Sequence, residues 1–163
     1  MTDNSHDPKE VGLYEKIAER TAELLDEGKK TFDEALKKAR EEANKAGDYT
    51  REQVDKASDY IKRDLSEIGK QADKAKQTLK EVVEPQRVAV GMQSIFTRIL
   101  IGAADTLGDW AKKAESSLEY KTGEVTSPGT LTCKDCGAEM NLKTTGRIPP
   151  CPKCHKTVFR KSY

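Results

Sequence analysis

Near one end of this 163-residue chain, four cysteines stand in two pairs, Cys133-Lys-Asp-Cys136-Gly137 and Cys151-Pro-Lys-Cys154-His155, with residues 137–150 between them. Two cysteines separated by two residues can wrap a tight backbone knuckle around one ion. Two such knuckles supply the four thiolates that tetrahedral Zn²⁺ takes at about 2.3 Å, and the spacer is close to that of known zinc patterns. Gly137 follows the first knuckle, where positive φ is commonly required. His155 holds the same place in the second knuckle, and histidine is among the non-glycine residues that more readily enter the left-handed region. The expected metal site is therefore Cys133, Cys136, Cys151 and Cys154 around one structural zinc, with no coordination position left for a catalytic water.

Other chemistry can be written on the same residues. A rubredoxin-like iron centre uses the same four thiolates, and Cys151-x-x-Cys154-His155 matches a haem-attachment pattern, although the second knuckle would have to give up its partner pair. A thioredoxin-like dithiol needs a βαβ context that the surrounding sequence lacks. His155 is a turn residue or a neighbour of the thiolates more readily than a fifth ligand. The chain shows no Ser/His/Asp or Cys/His nucleophile set, no phosphate-cradling glycine loop, and no glutamate-x-x-histidine pair for a di-iron site. No enzyme activity and no small-molecule substrate are expected.

Basic residues surround the cysteines. Lys134, Lys143, Arg147, Lys153, Lys156, Arg160 and Lys161, with Phe159 and Tyr163, could form a nucleic-acid face, because basic charge and aromatic stacking together hold single strands. The plainer reading is a small module solvating itself, with Phe159 and Leu131 as its miniature core. Residues 121–163 carry eight Lys/Arg against three Asp/Glu, and their charge of +5 falls to +3 when four thiolates and one Zn²⁺ are counted.

These knuckles need short strands to hold them. Turn signals at Thr122-Gly123, Ser127-Pro128-Gly129, Gly137, Gly146 and Pro149-Pro150 separate β-rich runs at 131–133, 139–143 and 158–160. The pattern describes a small β zinc ribbon over 131–163, joined by a linker over 121–130.

Upstream the periodicity is helical. Leu13, Ile17, Leu24, Gly28, Phe32, Leu36, Ala39, Ala43 and Ala46 mark one long helix over 9–46, bent at Gly28. Gly47 stops it, and Thr50-Arg-Glu-Gln53 forms a capping box that starts a second helix over 51–84. Its stripe runs Val54, Ala57, Ile61, Leu65, Ile68, Ala72, Ala75, Leu79 and Val82, and Pro85 ends it. A third helix over 88–120 carries Met92, Ile95, Phe96, Ile99, Ala103, Leu107, Trp110, Ala114 and Leu118. After a flexible N-terminus at 1–8, the expectation for 9–120 is thus a mainly α, elongated antiparallel three-helix bundle or coiled coil. Its small-residue stripes suit association with a second copy or a protein partner.

Composition agrees. Charged residues make up 35% of the chain, balanced at 29 basic against 28 acidic, and hydrophobic residues only 35%, which suits charged helices with narrow apolar stripes. The longest uncharged stretch, Val88–Thr97, is about half of what a bilayer span requires, and the N-terminal residues lack the regions of a secretory signal. A cytoplasmic protein is expected, where reduced cysteines bind metal more often than they form disulfides.

The sequence also resembles a family, the bacterial YbeL-like zinc-ribbon proteins, with a charged helical region followed by a ribbon. The likeness lies in Gly47-Asp48-Tyr49-Thr50-Arg51 with Val54-Asp55, in Arg63-Asp64-Leu65, in Tyr120-Lys-Thr-Gly123-Glu124-Val125, and in Leu131-Thr-Cys133 through Cys136 and Cys151-Pro-Lys-Cys154. It departs at His155, where the family pattern has glycine, and in the third helix. The resemblance implies a cytosolic zinc-binding protein and supplies no substrate.

Overall fold

The computed structural model describes residues 8–28, 31–74, 92–102 and 119–162. The helical part begins with α1 (Pro8–Asp26), α2 (Phe32–Ala46) and α3 (Arg51–Lys74), followed by α4 (Met92–Gly102). Six short strands follow: β1 (Tyr120–Lys121), β2 (Val125–Thr126), β3 (Gly129–Cys133), β4 (Glu139–Leu142), β5 (Gly146–Arg147) and β6 (Val158–Ser162).

The single helix expected over 9–46 is two helices. Gly28 adopts φ 79°, and its N–H donates to the Leu25 carbonyl, closing α1. Thr31 then starts α2 with a capping box: its hydroxyl accepts from the Glu34 N–H, and the Glu34 carboxylate accepts from the Thr31 N–H. Apolar spacing continues across the break because both helices bury that stripe in one core. Periodicity alone therefore hid the joint, while Thr31-x-x-Glu34 carried the signal for it.

The second box lies where the sequence places it, with Thr50 N–H on Gln53 Oε1 at 2.9 Å and Gln53 N–H on Thr50 Oγ1 at 3.2 Å. Gly47, at φ 76°, ends α2. The expected continuations over 75–84, 88–91 and 103–118 lie outside the described residues, and Tyr120, expected at the end of the third helix, instead opens β1, where it pairs with Phe159.

Helix α1 packs against α2, α3 and α4. Leu13, Tyr14, Ile17 and Leu24 of α1 are fully buried among Phe32, Leu36, Ala39, Val54, Ile61, Leu65, Phe96 and Ile99, each large aliphatic contributing about 1.5–3 kcal/mol. The Tyr14 and Phe96 rings meet edge to face at 6.3 Å. Ion pairs rim this core: Arg20–Glu42 at 2.6 Å joins α1 to α2, Arg40–Asp55 joins α2 to α3, and Arg98–Asp26 joins α4 to α1.

The C-terminal part is an antiparallel four-stranded sheet in the order β1-β6-β3-β4, beside a two-stranded β2-β5 ribbon. Leu131 pairs with Met140 on one side and Lys161 on the other, and Cys133 pairs with Phe159. The inward face buries Tyr120, Leu131, Cys133, Ile148, Cys151 and Phe159 in a second core.

Residues 121–130, expected as a linker, are built into this module. Gly123 N–H donates to the Ile148 carbonyl at 2.8 Å and Ile148 N–H to the Glu124 carbonyl at 2.9 Å, and Val125 and Thr126 pair with Arg147 and Gly146. Two-residue strands between turn residues give too little alternation to be read from sequence. Val125 joins the helical core, so this segment fastens the sheet to the helices.

Candidate metal centre

The two knuckles are copies of one backbone device. In the first, Cys133 N–H donates to the Ala138 carbonyl at 2.8 Å and Gly137 N–H to the Cys133 carbonyl at 3.0 Å; in the second, Cys151 N–H donates to Lys156 at 3.0 Å and His155 N–H to Cys151 at 2.9 Å. Both need a left-handed residue four positions after the first cysteine. Gly137 takes it at φ 70° and His155 at φ 58°, the one non-glycine residue at positive φ among those described. His155 is exposed and serves the turn.

Strand β3 delivers Cys133, and the β5–β6 connection delivers Cys151 and Cys154. All four Sγ atoms fall within 4.8 Å of one another. The closest pairs cross between knuckles, Cys133 to Cys154 at 3.5 Å and Cys136 to Cys151 at 3.6 Å. A disulfide would require about 2.05 Å, whereas four sulfurs at 2.3 Å from one Zn²⁺ stand about 3.8 Å apart. The donor set therefore fits a tetrahedral thiophilic ion.

Its electrostatics call for a cation. Backbone N–H groups of Cys154 and Lys153 help draw the Cys151 thiol down to about 6. The Lys156 N–H pulls Cys154 the same way, but burial and the surrounding sulfurs outweigh it and push that thiol up to about 12. Four sulfurs this close cannot all ionise beside one another without a positive charge at their centre.

The model of a family described as a zinc-ribbon containing domain matches residues 19–162, nearly nine-tenths of the chain. The chain belongs to this family. Family and donor geometry together give one structural zinc ion held by Cys133, Cys136, Cys151 and Cys154. No curated protein and no solved structure matches the chain. No helix among the described residues is long and apolar enough to cross a membrane.

The basic residues around the zinc ribbon divide sharply. Lys161, expected on a nucleic-acid face, is 4% exposed. Its ammonium donates to Thr126 Oγ1 at 2.6 Å and to the carbonyl and hydroxyl oxygens of Ser127 at 2.5 and 2.9 Å. Burial lowers its pKa to about 8. Phe159 is buried in the ribbon core and has no free face for stacking. Phe159 thus takes the miniature-core role and Lys161 moves from surface to interior, because β6 alternates inward at 159 and 161. Arg147 bonds Glu10 of α1 and the Gly123 carbonyl, and Lys134 pairs with Glu119 at 2.7 Å. Lys143, Lys153, Lys156 and Arg160 are exposed, and Tyr163 lies outside the described residues.

What sequence reasoning did not foresee is the joint between ribbon and helices. Asp64 of α3 is fully buried. Its carboxylate accepts from the Tyr14 hydroxyl of α1, from the Thr126 hydroxyl at 3.0 and 3.1 Å, and from the Ser127 N–H at 3.0 Å. Arg63, its neighbour, pairs with Glu124, donates to the Val125 carbonyl at 3.1 Å, and lies over the Tyr120 ring at 4.1 Å. Adjacent charges at 63 and 64 read as ordinary helix surface in sequence. The one available signal was that Asp64 falls one position before Leu65 on the buried stripe.

Proposed function

We propose that this protein is a non-enzymatic cytoplasmic scaffold in which a helical bundle or coiled coil associates with itself or with a protein partner, while the zinc ribbon holds a contact surface in fixed orientation. The closed set of four thiols carries this reading: they fill a tetrahedral ion, leaving no place for a substrate or a catalytic water. The half-buried apolar side chains Ile68 of α3 and Ile95 and Leu100 of α4 support a helical surface suited to association. Kinship with the bacterial YbeL-like proteins belongs to the same proposal, on the strength of the Tyr120-x-x-Gly123-Glu124-Val125 stretch. Light scattering of the zinc-loaded chain over a concentration series tests it. An oligomer, or a defined complex with a purified partner, is expected; a strict monomer that binds no protein contradicts it.

A second reading, a ribbon that contacts nucleic acid or a ribonucleoprotein, draws support from the exposure of Lys153, Lys156 and Arg160. Filter binding in a salt series distinguishes it, because phosphate contacts weaken steeply as counterion release loses its driving force. Failure to bind at low salt excludes it.

A further inference from the structure

The metal centre and the helical core are linked through strand β6 and a set of buried hydrogen bonds. Cys133 pairs across the sheet with Phe159. Two residues on, and on the same inward face of β6, Lys161 reaches Thr126 and Ser127. Both of those residues donate to Asp64 on α3, and Asp64 accepts in turn from Tyr14 on α1.

Thr126 is the pivot, its hydroxyl accepting from Lys161 while donating to Asp64. Thr126, Ser127, Asp64 and Tyr14 are all fully or nearly fully buried, and Lys161 almost so. A buried polar network of this kind is stable when every member is satisfied and costly when one module withdraws its share. The ribbon, with a core of six buried residues, depends on the metal for its own folding. Loss of the metal would therefore withdraw the ribbon partners of Asp64, the carboxylate that Tyr14 uses inside the helical core.

We propose that Asp64 is a positioning residue for the metal centre: without being a ligand, it makes zinc retention and the packing of α1 against α3 a single linked equilibrium. Linkage is reciprocal. Zinc tightens the helices, and contacts made by the helices hold zinc. The inference rests on zinc occupying the four thiols and is independent of what the helices bind.

The test uses the full zinc-loaded chain and the variants Asp64→Asn and Thr126→Val, the second preserving shape should the first fold poorly. Zinc affinity is measured by competition with a chromogenic chelator, and amide hydrogen exchange in α1 and α3 is followed with and without zinc. Both variants are expected to bind zinc at least about 5-fold more weakly, the lower end of usual coupling factors. In the parent chain, zinc slows exchange around Tyr14 and Asp64, and in Thr126→Val this zinc-dependent difference shrinks. If Thr126→Val binds zinc as the parent does, or its helices exchange faster by the same factor with and without zinc, Asp64 supports the fold alone and the proposal is overturned. A parent chain that binds zinc while the coupling is absent overturns this inference and leaves the structural zinc reading standing.

Discussion

The carboxylate of Asp64, on α3, accepts a hydrogen bond from the hydroxyl of Thr126, on β2, 62 residues further along the chain and in the other module. Neither residue meets solvent. With Arg63 on Glu124 and Arg147 on Glu10, this contact makes the ribbon part of the helical structure. Removing one partner of such a buried set leaves the others unsatisfied, at about 1–3 kcal/mol for each group. Asp64→Ala is expected to cost more than 3 kcal/mol, read from denaturant midpoints of the zinc-loaded chain. Asp59→Ala, at an exposed position on the same helix, should stay within about 0.5 kcal/mol of the parent.

Two groups in this joint give it opposite pH responses. Lys161 titrates near 8 when folded, lowered by burial, against about 10.4 in an unfolded chain. Between those values the unfolded state binds more protons, so Lys161's contribution to stability rises with pH, by up to about 1.4 kcal/mol per unit. Burial above all, and then the Asp64 charge, raise the Tyr14 phenol well above 10; above that pH the unfolded state loses a proton that the folded state keeps, and stability falls. The stability of the parent relative to Lys161→Met should therefore rise from pH 8 to 10, and Tyr14→Phe should remove part of the decline above 10. Denaturant titrations at fixed ionic strength read both effects.

His155 carries a left-handed backbone that glycine adopts without penalty. His155→Gly should retain zinc fully and leave the melting temperature unchanged or slightly higher. His155→Val, β-branched at positive φ, should destabilise the zinc-loaded ribbon by about 1–2 kcal/mol and release zinc to a chelator more readily. Equal zinc retention in the two variants would show that the second knuckle does not need this conformation.

At the joint between α1 and α2, Thr31→Ala removes a side-chain acceptor from the Glu34 N–H and is expected to cost about 1 kcal/mol. Gly28→Ala places a side chain at φ 79° and should cost about 1–2 kcal/mol. A single continuous helix would respond oppositely, because alanine would then improve both positions. Thermal melts of the two variants decide between the arrangements.

The local parts of this structure were legible in its sequence because their causes are local. The thiol spacing, the positive φ after each knuckle and the Thr50 capping box each depend on a few neighbouring residues. The β-rich runs at 131–133, 139–143 and 158–160 showed enough alternation to be seen and fall on β3, β4 and β6. Strands β1, β2 and β5, two residues each, did not, because long-range pairing defines them. Phe159 could be read as ribbon core or as a stacking face, and Lys161 reads as surface because of its charge; the register of β6 against β3 turns both inward. Asp64 was opaque for the same reason, since its partners lie 50 to 63 residues away. The break after Gly28 was visible in Thr31-x-x-Glu34, but continuous apolar spacing outweighed it.

Four thiols hold one structural zinc in this ribbon. Elemental analysis of the purified chain, paired with titration of reactive thiols in the same sample, tests this most directly. One zinc per chain is predicted, with all four thiols protected until a chelator is added and the metal lost from Cys133→Ser. A coloured, iron-containing protein, or a metal-free chain with four freely reactive thiols and an intact fold, would contradict it.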